Sequence, residues 1–469
     1  MPKNVTDTLT LGTAPIGQLL RQYALPAIIA MTASSLYNIV DSVFIGHGVG
    51  ALALSGLTVA KPFMDICAAF GSMVGVGAST LVAIKLGQKD YESARRVLGN
   101  VIVLNILLSA IVTIIGLIFL DPILRLFGAS DDTLRYAHDY MVPILVCNVM
   151  THIYFGLNNV LRSSGHPRSS MIATIVAVTT NIILDPIFIF GLKMGVRGAA
   201  IATMISQAVA VVWQLTIFLN PKELLHFHRG MWRLDKTIVL DSLTIGLSPF
   251  LMNIAHSVVV IIINNQLKSY GGDMAIAAYG VINRVTFVFA MIVMGLNQGM
   301  QPIAGYNYGA KKYDRMLSVF RLTAIWATVV TTLVFLLAEL CPTMLVELFT
   351  HDRALIDMSV PAMRIVLCVF FCTGFQMVTG NFFTSIGMAG KAIFLSLTRQ
   401  VLYLIPLTLT LPLLFSLNGV WVSLPVSDLL SAITALIMLM VQLRQFRRAH
   451  AAQSATAQDS ALEMTEPEA

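Results

Sequence analysis

The chain has 469 residues, of which 57% are hydrophobic and only 12% are charged. This composition excludes a soluble globular domain and indicates an integral membrane protein. The formal net charge is +6. We interpret this positive charge as a signal of orientation in the membrane, because Lys and Arg concentrate in cytoplasmic segments, and we expect no nucleic-acid partner.

Apolar runs long enough to cross a hydrocarbon core of about 30 Å recur along almost the whole chain. The predicted fold class is therefore an all-α polytopic membrane protein with twelve transmembrane helices. The predicted spans are residues 24–46, 52–84, 97–120, 141–162, 170–192, 198–219, 243–267, 276–308, 319–345, 360–386, 393–416 and 419–444.

The two ends of the chain differ in composition from the spans. Residues 1–23 are polar and then weakly amphipathic, without the features of a signal peptide, so we expect a cytoplasmic N-terminal segment. Residues 445–469 contain few bulky apolar side chains, and we expect a disordered cytoplasmic tail. With both termini in the cytoplasm, most Lys and Arg residues fall in cytoplasmic segments. This predicts a multi-pass protein of the cell (inner) membrane.

The second half of the chain repeats the first at an offset of 222 residues, from Gly77 to Gly299. The aligned segments are "GASTLVAIKLGQKDYESARRV" and "GMQPIAGYNYGAKKYDRMLSV". We predict two pseudo-symmetric six-helix lobes, an N-lobe at 24–219 and a C-lobe at 243–444, with a cytoplasmic linker at 220–242. Transporters built from halves place their substrate between them, although channels also use repeated helices.

Two carboxylates lie in spans of the N-lobe, where an ionisable side chain is costly and is a functional candidate by default. Asp41 in the first span and Asp185 in the fifth both lie roughly 8–9 Å below the outer membrane surface. Tyr37 and Asn38 share a helical face with Asp41, and Asn181 shares one with Asp185. The two acids are therefore expected to face one cavity.

Pro186 follows Asp185 and cannot donate a hydrogen bond to the carbonyl of Ile182. We expect this helix to bend and to change shape at the acid. The alternative for both acids is a structural role, with each carboxylate satisfied by a neighbouring polar side chain.

A second set of ionisable residues in the spans gives less specific signals. Lys61 and Asp65 are four residues apart on one helical face and are expected to neutralise each other. Arg284 lies close to the repeat counterpart of Lys61 and has no equivalent acid, which leaves a cleft-lining role open.

Three further candidates lie in the C-lobe. We interpret His256 as a packing histidine, with a part in proton movement as the alternative. We expect Arg399 to extend to the cytoplasmic end of its helix. Asp428 is a secondary candidate carboxylate. The repeat counterparts of the two N-lobe acids are Asn264 and Pro406, so only one half carries the acid pair.

The sequence contains no HExxH motif, Walker-type glycine-rich loop or GxSxG elbow, and its five cysteines lack metal-ligand spacing. We therefore expect no enzyme activity, no resident cofactor and no metal centre.

Several longer motifs resemble one transporter family over roughly residues 15–445. They are "YNIVDSVFIGHGVGALALSGL", "GVGASTLVAIKLGQKDYESARRVLG", "LRSSGHPRSS", "NIILDPIFIFGLKMGVRGAAIAT", "GMQPIAGYNYGAKKYDR" and "LTRQVLYLIPL". The chain resembles the multidrug and toxic compound extrusion (MATE) transporters, and among them the DinF-like branch. The resemblance implies twelve helices in two lobes and export of cationic or amphipathic compounds against an inward flow of protons or sodium ions.

The resemblance also implies a coupling site in the N-lobe. It carries over onto Tyr37, Asn38, Asp41, Tyr140, Asn158, Asn181, Asp185 and Thr203. The NorM-like branch keeps a glutamate in the seventh helix where this chain has Ser257, which weakens a coupling site in the C-lobe.

The predicted function is secondary antiport of small cationic or amphipathic drugs, driven by inward proton flow, in a protein that we expect to be a monomer in the lipid bilayer. Sodium coupling is the first alternative. Its ion would bind the oxygens of Asp41, Asn38, Asn181, Asp185 and Thr203. Two further functions stay open at this point: a flippase for lipids or lipid-linked oligosaccharides, and a structural or signalling membrane protein.

Overall fold

The computed structural model describes residues 10–463, apart from the side chains of Asn38, Ile39, Ala51 and residues 447–463. Regular secondary structure in this range is helical. The first half contains α1 (Ile16–Gly48), α2 (Ala51–Gly87), α3 (Tyr91–Ile118), α4 (Leu120–Leu126), α5 (Asp131–Val146), α6 (Asn148–Ser163), α7 (Pro167–Pro186) and α8 (Gly195–Phe218). The second half contains α9 (Lys236–Gly309), α10 (Tyr313–Leu340), α11 (Pro342–Glu347), α12 (Arg353–Leu367), α13 (Phe371–Ser385), α14 (Ala389–Leu397) and α15 (Ile405–Glu463).

Twelve membrane-spanning segments follow from these helices. In the described residues, eight helices are long and apolar enough to cross a membrane, and the bent pairs α5–α6 and α12–α13 raise the number to ten. Two of the ten contain a break in the helical backbone. It lies at Gly272 in α9, where φ is 66°, and at Ser416 in α15, where φ is 50°. Each of these two supplies two spans, which confirms the predicted fold class.

The sequence repeat is visible in the backbone. The turn after α2 places Lys89 in the left-handed region, with φ of 62°. The turn after α9 does the same with Lys311, its repeat counterpart, with φ of 57°. Both turns end one helix and start the next within a few residues. The two lobes therefore enter their third spans through the same local geometry.

The buried apolar residues show how the lobes fit together. The largest group joins both lobes, for example Leu86 of α2 and Ile303 of α9, and it includes Leu225 of the linker. We call this end of the molecule the linker side and the opposite end the far side. Two further groups belong to one lobe each. The members of one lie between residues 259 and 424 of the C-lobe, and the members of the other lie between residues 45 and 204 of the N-lobe. The lobes thus share a core on the linker side and have separate cores on the far side.

Both predicted ends of the chain differ from the structure. Helix α1 begins at Ile16 and buries Tyr23, so the predicted boundary at residue 24 lies inside a helix. The last helix continues to Glu463, and the predicted disorder of 445–469 is therefore wrong for 445–463. The segment "AHAAQSATAQDSALE" contains no Gly or Pro and is rich in Ala, which prolongs an existing helix at little cost. Residues 464–469 lie outside the described range.

Candidate functional site

The two N-lobe acids meet between α1 and α7. Asp41 is 6% exposed and Asp185 is fully buried, and their carboxyl groups lie within hydrogen-bonding reach of each other. Asp41 Oδ1 and Asp185 Oδ2 have no hydrogen-bond donor among the described side chains. Two ionised carboxylates offer only acceptors, so a hydrogen bond between them requires a proton on one of them. The geometry is that of a carboxyl pair able to hold a shared proton.

A hydrogen-bond network connects Asp185, through Asn181 of its own helix, to two neighbouring helices. Asn181 Nδ2 donates to Asp185 Oδ1 at 3.3 Å, as the spacing of four residues predicts, and to Thr203 Oγ1 at 3.2 Å. Thr203 Oγ1 donates to the Ala199 carbonyl at 3.0 Å. Because that bond uses the threonine proton, the Tyr37 hydroxyl is the donor in its 3.3 Å contact with Thr203 Oγ1. A chain of hydrogen bonds therefore links α1, α8 and α7 beside the acids.

Tyr140 covers the acid pair from α5. Its ring is buried, and its hydroxyl donates to Met64 Sδ of α2 at 3.8 Å. Its hydroxyl is also close enough to Asp41, Asp185 and Tyr37 to interact with them electrostatically. The structure thus brings together Tyr37, Asp41, Tyr140, Asn181, Asp185 and Thr203. The Asn38 side chain lies outside the described residues.

Asn158 belongs to a different polar cluster. Its Nδ2 donates to Thr174 Oγ1 at 3.2 Å, and its Oδ1 accepts a hydrogen bond from Ser170. Thr174 also accepts from the Tyr154 hydroxyl at 3.1 Å. Thr174 precedes Asp185 by eleven residues of α7, or about 16 Å along a helix. The expectation that Asn158 joins the acid pair is therefore corrected: it ties α6 to α7 nearer the linker side.

The backbone departs from α geometry next to Asp185, where Pro186 predicts a change of shape. Helix α7 ends at Pro186, and a π-helix, Ile187–Gly191, follows it directly. π-Helical turns are rare and occur frequently at functional sites. The acid therefore lies one residue before the proline at which the helix changes its hydrogen-bonding pattern.

The C-lobe holds a largely buried ion pair that the sequence analysis does not predict. Arg399 Nε donates to Asp428 Oδ1 at 2.6 Å, and Thr373 Oγ1 donates to Asp428 Oδ2 at 3.3 Å. The expectation that Arg399 extends to the end of its helix is wrong, because Asp428 on the next span offers the guanidinium a buried partner. The two side chains are 29 residues apart in sequence, so no helical spacing indicates the contact.

The remaining candidates lie at exposed positions. Lys61 Nζ and Asp65 Oδ1 are 2.6 Å apart, which confirms that they neutralise each other. Arg284 is exposed, and no salt bridge of the described residues includes it. His256 is exposed on α9, so its interpretation as a packing histidine is wrong. Its face of α9 points away from the apolar core, and its ring interacts electrostatically with Arg399.

Comparisons with known proteins agree with this architecture. The MatE family model matches residues 26–187 and again residues 249–410, once in each lobe. The multidrug export protein MepA of Staphylococcus haemolyticus is 28% identical over 424 residues, which are 90% of this chain and 93% of that protein. MepA of Staphylococcus aureus is 28% identical over 426 residues, 91% of this chain and 94% of that protein.

Solved structures give the same result. The MATE multidrug transporter DinF-BH, solved as a complex with a ligand, is 39% identical, with a TM-score of 0.85 over 92% of this chain and 96% of that chain. A MATE structure in the bent conformation has a TM-score of 0.89 at 22% identity, over 96% and 99% of the chains, and shows the fold alone. With two matches to the family model and a solved relative that spans both lobes, the chain belongs to the MATE family of membrane transporters.

Proposed function

We propose that the protein is a proton-driven antiporter that exports small cationic and amphipathic compounds. The names of its relatives support export of drugs: the MepA proteins are multidrug export proteins, and DinF-BH is a multidrug transporter. The observation that carries the coupling mechanism is the contact between Asp41 and Asp185. Both acids are buried, and they lie within hydrogen-bonding reach of each other.

The physical reason for proton coupling is the cost of two adjacent charges away from water. Burial and a neighbouring carboxylate both favour the neutral form of an acid. The pair then takes up and releases protons as a unit rather than as two independent groups. Asn181 donates a hydrogen bond to one carboxyl oxygen of Asp185, and this bond is compatible with both the protonated and the ionised form of Asp185.

The cationic substrate and the proton compete for the negative charge of this acid pair, and this competition couples their transport. With the pair deprotonated, the N-lobe attracts a cation, because electrostatic attraction is strong where water is excluded. A proton that reaches the pair from the far side removes that attraction, and the substrate is released there. Exchange then requires that the cleft open alternately on the two sides, with the shared core of the linker side separating when the far side closes.

The same proposal orients the molecule in the membrane. Basic residues are concentrated on the linker side, and the positive-inside rule favours the cytoplasm for such a surface. They include Lys85, Lys89, Arg95, Arg96, Lys222, Arg229, Arg233, Lys311, Lys312 and Arg315. We therefore place the linker side in the cytoplasm and the far side outside the cell membrane. The expected monomer stays a prediction.

Sodium coupling is the alternative that a specific observation favours. Hard cations prefer oxygen ligands, and Asp41, Asp185 and Thr203 bring carboxylate and hydroxyl oxygens to one place. A flippase has less support. Lys61, Arg284 and Arg399 are the three basic candidates for binding a lipid phosphate. Lys61 and Arg399 are each paired with an acid, and of the three only Arg284 has no ion pair among the described residues.

Ethidium uptake into everted membrane vesicles tests the proposal. We expect an imposed proton gradient, acidic inside, to drive uptake in sodium-free medium, and we expect an imposed sodium gradient at constant pH to drive none. Vesicles from cells without the protein give the background. Uptake that requires sodium and ignores the proton gradient would assign the coupling to sodium.

A further inference from the structure

The C-lobe contains a polar centre on the spans that are the repeat counterparts of those around the N-lobe acid pair. The N-lobe centre draws on spans one, two, four, five and six through Asp41, Met64, Tyr140, Asp185 and Thr203. The C-lobe centre draws on spans seven, eight, ten, eleven and twelve through His256, Tyr279, Thr373, Arg399 and Asp428. The six-helix repeat relates these two sets of spans one to one.

The two centres differ in how their negative charge is balanced. The described residues place no Lys or Arg in a salt bridge with Asp41 or Asp185. In the C-lobe, Arg399 contacts Asp428 directly at 2.6 Å, and Asp428 is 5% exposed. A buried carboxylate with a fixed guanidinium partner has no need of a free cation. The C-lobe centre therefore carries its own cation.

Backbone geometry supports the comparison of the centres. Arg399 lies in the π-helix Thr398–Leu404 of the eleventh span. The fifth span, its repeat counterpart, contains the π-helix that follows Asp185. The centres are not at equal depth, since Arg399 precedes Pro406, the counterpart of Asp185, by seven residues, or about 10 Å. The equivalence is one of spans and of local helix geometry, and the position along the helix has shifted.

We propose that Arg399 is a tethered cation that occupies the C-lobe counterpart of the coupling site, so that this lobe binds no exchangeable cation and coupling is confined to the N-lobe. The proposal rests on the proposed function for the role of Asp41 and Asp185. Its consequence is specific: without the guanidinium, Asp428 becomes an acid that a proton or a sodium ion can neutralise.

The titratable groups near the Arg399–Asp428 pair are the ones a test has to hold constant. Besides Arg399 they are Tyr279, Cys368 and Cys372, which interact with Asp428, and His256, which interacts with Arg399. A comparison between Arg399→Gln and the double variant Arg399→Gln/Asp428→Asn keeps all of them except Arg399 in both proteins. Any difference between these variants is therefore due to the Asp428 carboxyl group.

The test is the melting temperature of purified, detergent-solubilised protein, measured with sodium chloride or choline chloride and across a range of pH. We expect Arg399→Gln to be stabilised by sodium or by acid more than the wild type, by several degrees. The double variant and Arg399→Lys, which retains a cation, should show the wild-type dependence. This readout does not require transport, so it is independent of the vesicle assay for the proposed function.

Three results would overturn the proposal. The first is a dependence of Arg399→Gln on sodium and pH that equals that of the wild type. The second is the same gain in Arg399→Lys as in Arg399→Gln, because the charge would then not be the cause. The third is failure of Arg399→Gln to fold at every sodium concentration and pH while the double variant folds, because a free cation could then not replace the guanidinium.

Discussion

Gly87 of α2 and Gly309 of α9 make the same contact with the opposite lobe. A methyl group added to Gly87 would lie 2.0 Å from the Tyr306 carbonyl oxygen, and one added to Gly309 would lie 2.1 Å from the Ile84 carbonyl oxygen. The repeat offset of 222 residues relates Gly87 to Gly309 and Ile84 to Tyr306, so the two contacts are equivalent. Backbone therefore meets backbone across a two-fold pseudo-symmetric seam, which closes the linker side.

Gly87→Ala and Gly309→Ala should each hold the linker side open. Overpacking of a tight contact costs typically about 1–3 kcal/mol, which changes a two-state population by about fivefold at the lower end and by more than about 100-fold at the upper end. We expect each variant to reach the membrane and to lose most ethidium efflux. Gly280→Ala is the matched control, because it lies on α9 with open space where its methyl group would be. Normal efflux by both seam variants would show that the linker side still closes when a methyl group is added at the seam, which contradicts this prediction.

Asp41→Asn and Asp185→Asn should each reduce ethidium efflux to background while the protein stays in the membrane. The amide keeps the volume of the acid and cannot exchange a proton. We expect the double variant to be no worse than either single one, because residues that act as a unit are not additive. Asp139→Asn, which loses a partly exposed ion pair with Arg197 in the same lobe, is the control. Loss of either variant from the membrane would assign the acids a structural role.

Thr203→Val distinguishes the two coupling ions. It removes the hydroxyl that Asn181 and Tyr37 contact and leaves the Asn181 bond to Asp185 in place. A hydrogen bond of this kind contributes about 1 kcal/mol, so proton-driven efflux should fall less than about tenfold. Thr216→Val is the control on the same helix, where the hydroxyl donates to the Trp213 carbonyl of that helix. A large loss that added sodium reverses would indicate that Thr203 is a sodium ligand.

Asp428→Asn should destabilise the protein more than the double variant Arg399→Gln/Asp428→Asn. The single change leaves a mostly buried guanidinium without its partner, and breaking a buried pair costs up to about 3–5 kcal/mol. The double change removes both charges and should recover much of that loss. Melting temperatures of the purified variants measure the difference. If Asp428→Asn is as stable as the wild type, the ion pair contributes nothing to the C-lobe.

Several features of the N-lobe site follow from helical periodicity. Asn181 and Asp185 are one helical turn apart, and they form the hydrogen bond that this spacing predicts. Asp41 and Asp185 are predicted to face one cavity because both lie five to six residues before the end of a span, and they are within reach of each other. Depth in the membrane and position on a helix are properties of a single segment, so a sequence can indicate them.

The contacts that the sequence does not indicate depend on how separate helices pack. Arg399 and Asp428 lie on spans that reverse direction between them, and the rotation of each helix decides whether their side chains meet. The placement of Asn158 beside Ser170 likewise depends on the crossing of α6 and α7. The helical tail is not predicted because a scarcity of bulky apolar side chains favours disorder in an isolated segment. Here the Ala-rich segment instead continues the helix that precedes it.

The central claim is that Asp41 and Asp185 hold a proton that a cationic substrate displaces. It is tested most directly by proton release when ethidium binds to the purified protein in weakly buffered, sodium-free solution. We expect the wild type to release protons in proportion to the ethidium bound, and Asp41→Asn and Asp185→Asn to release none at saturating ethidium. Ethidium binding by the wild type without proton release, or equal release by the wild type and both variants, would contradict the claim.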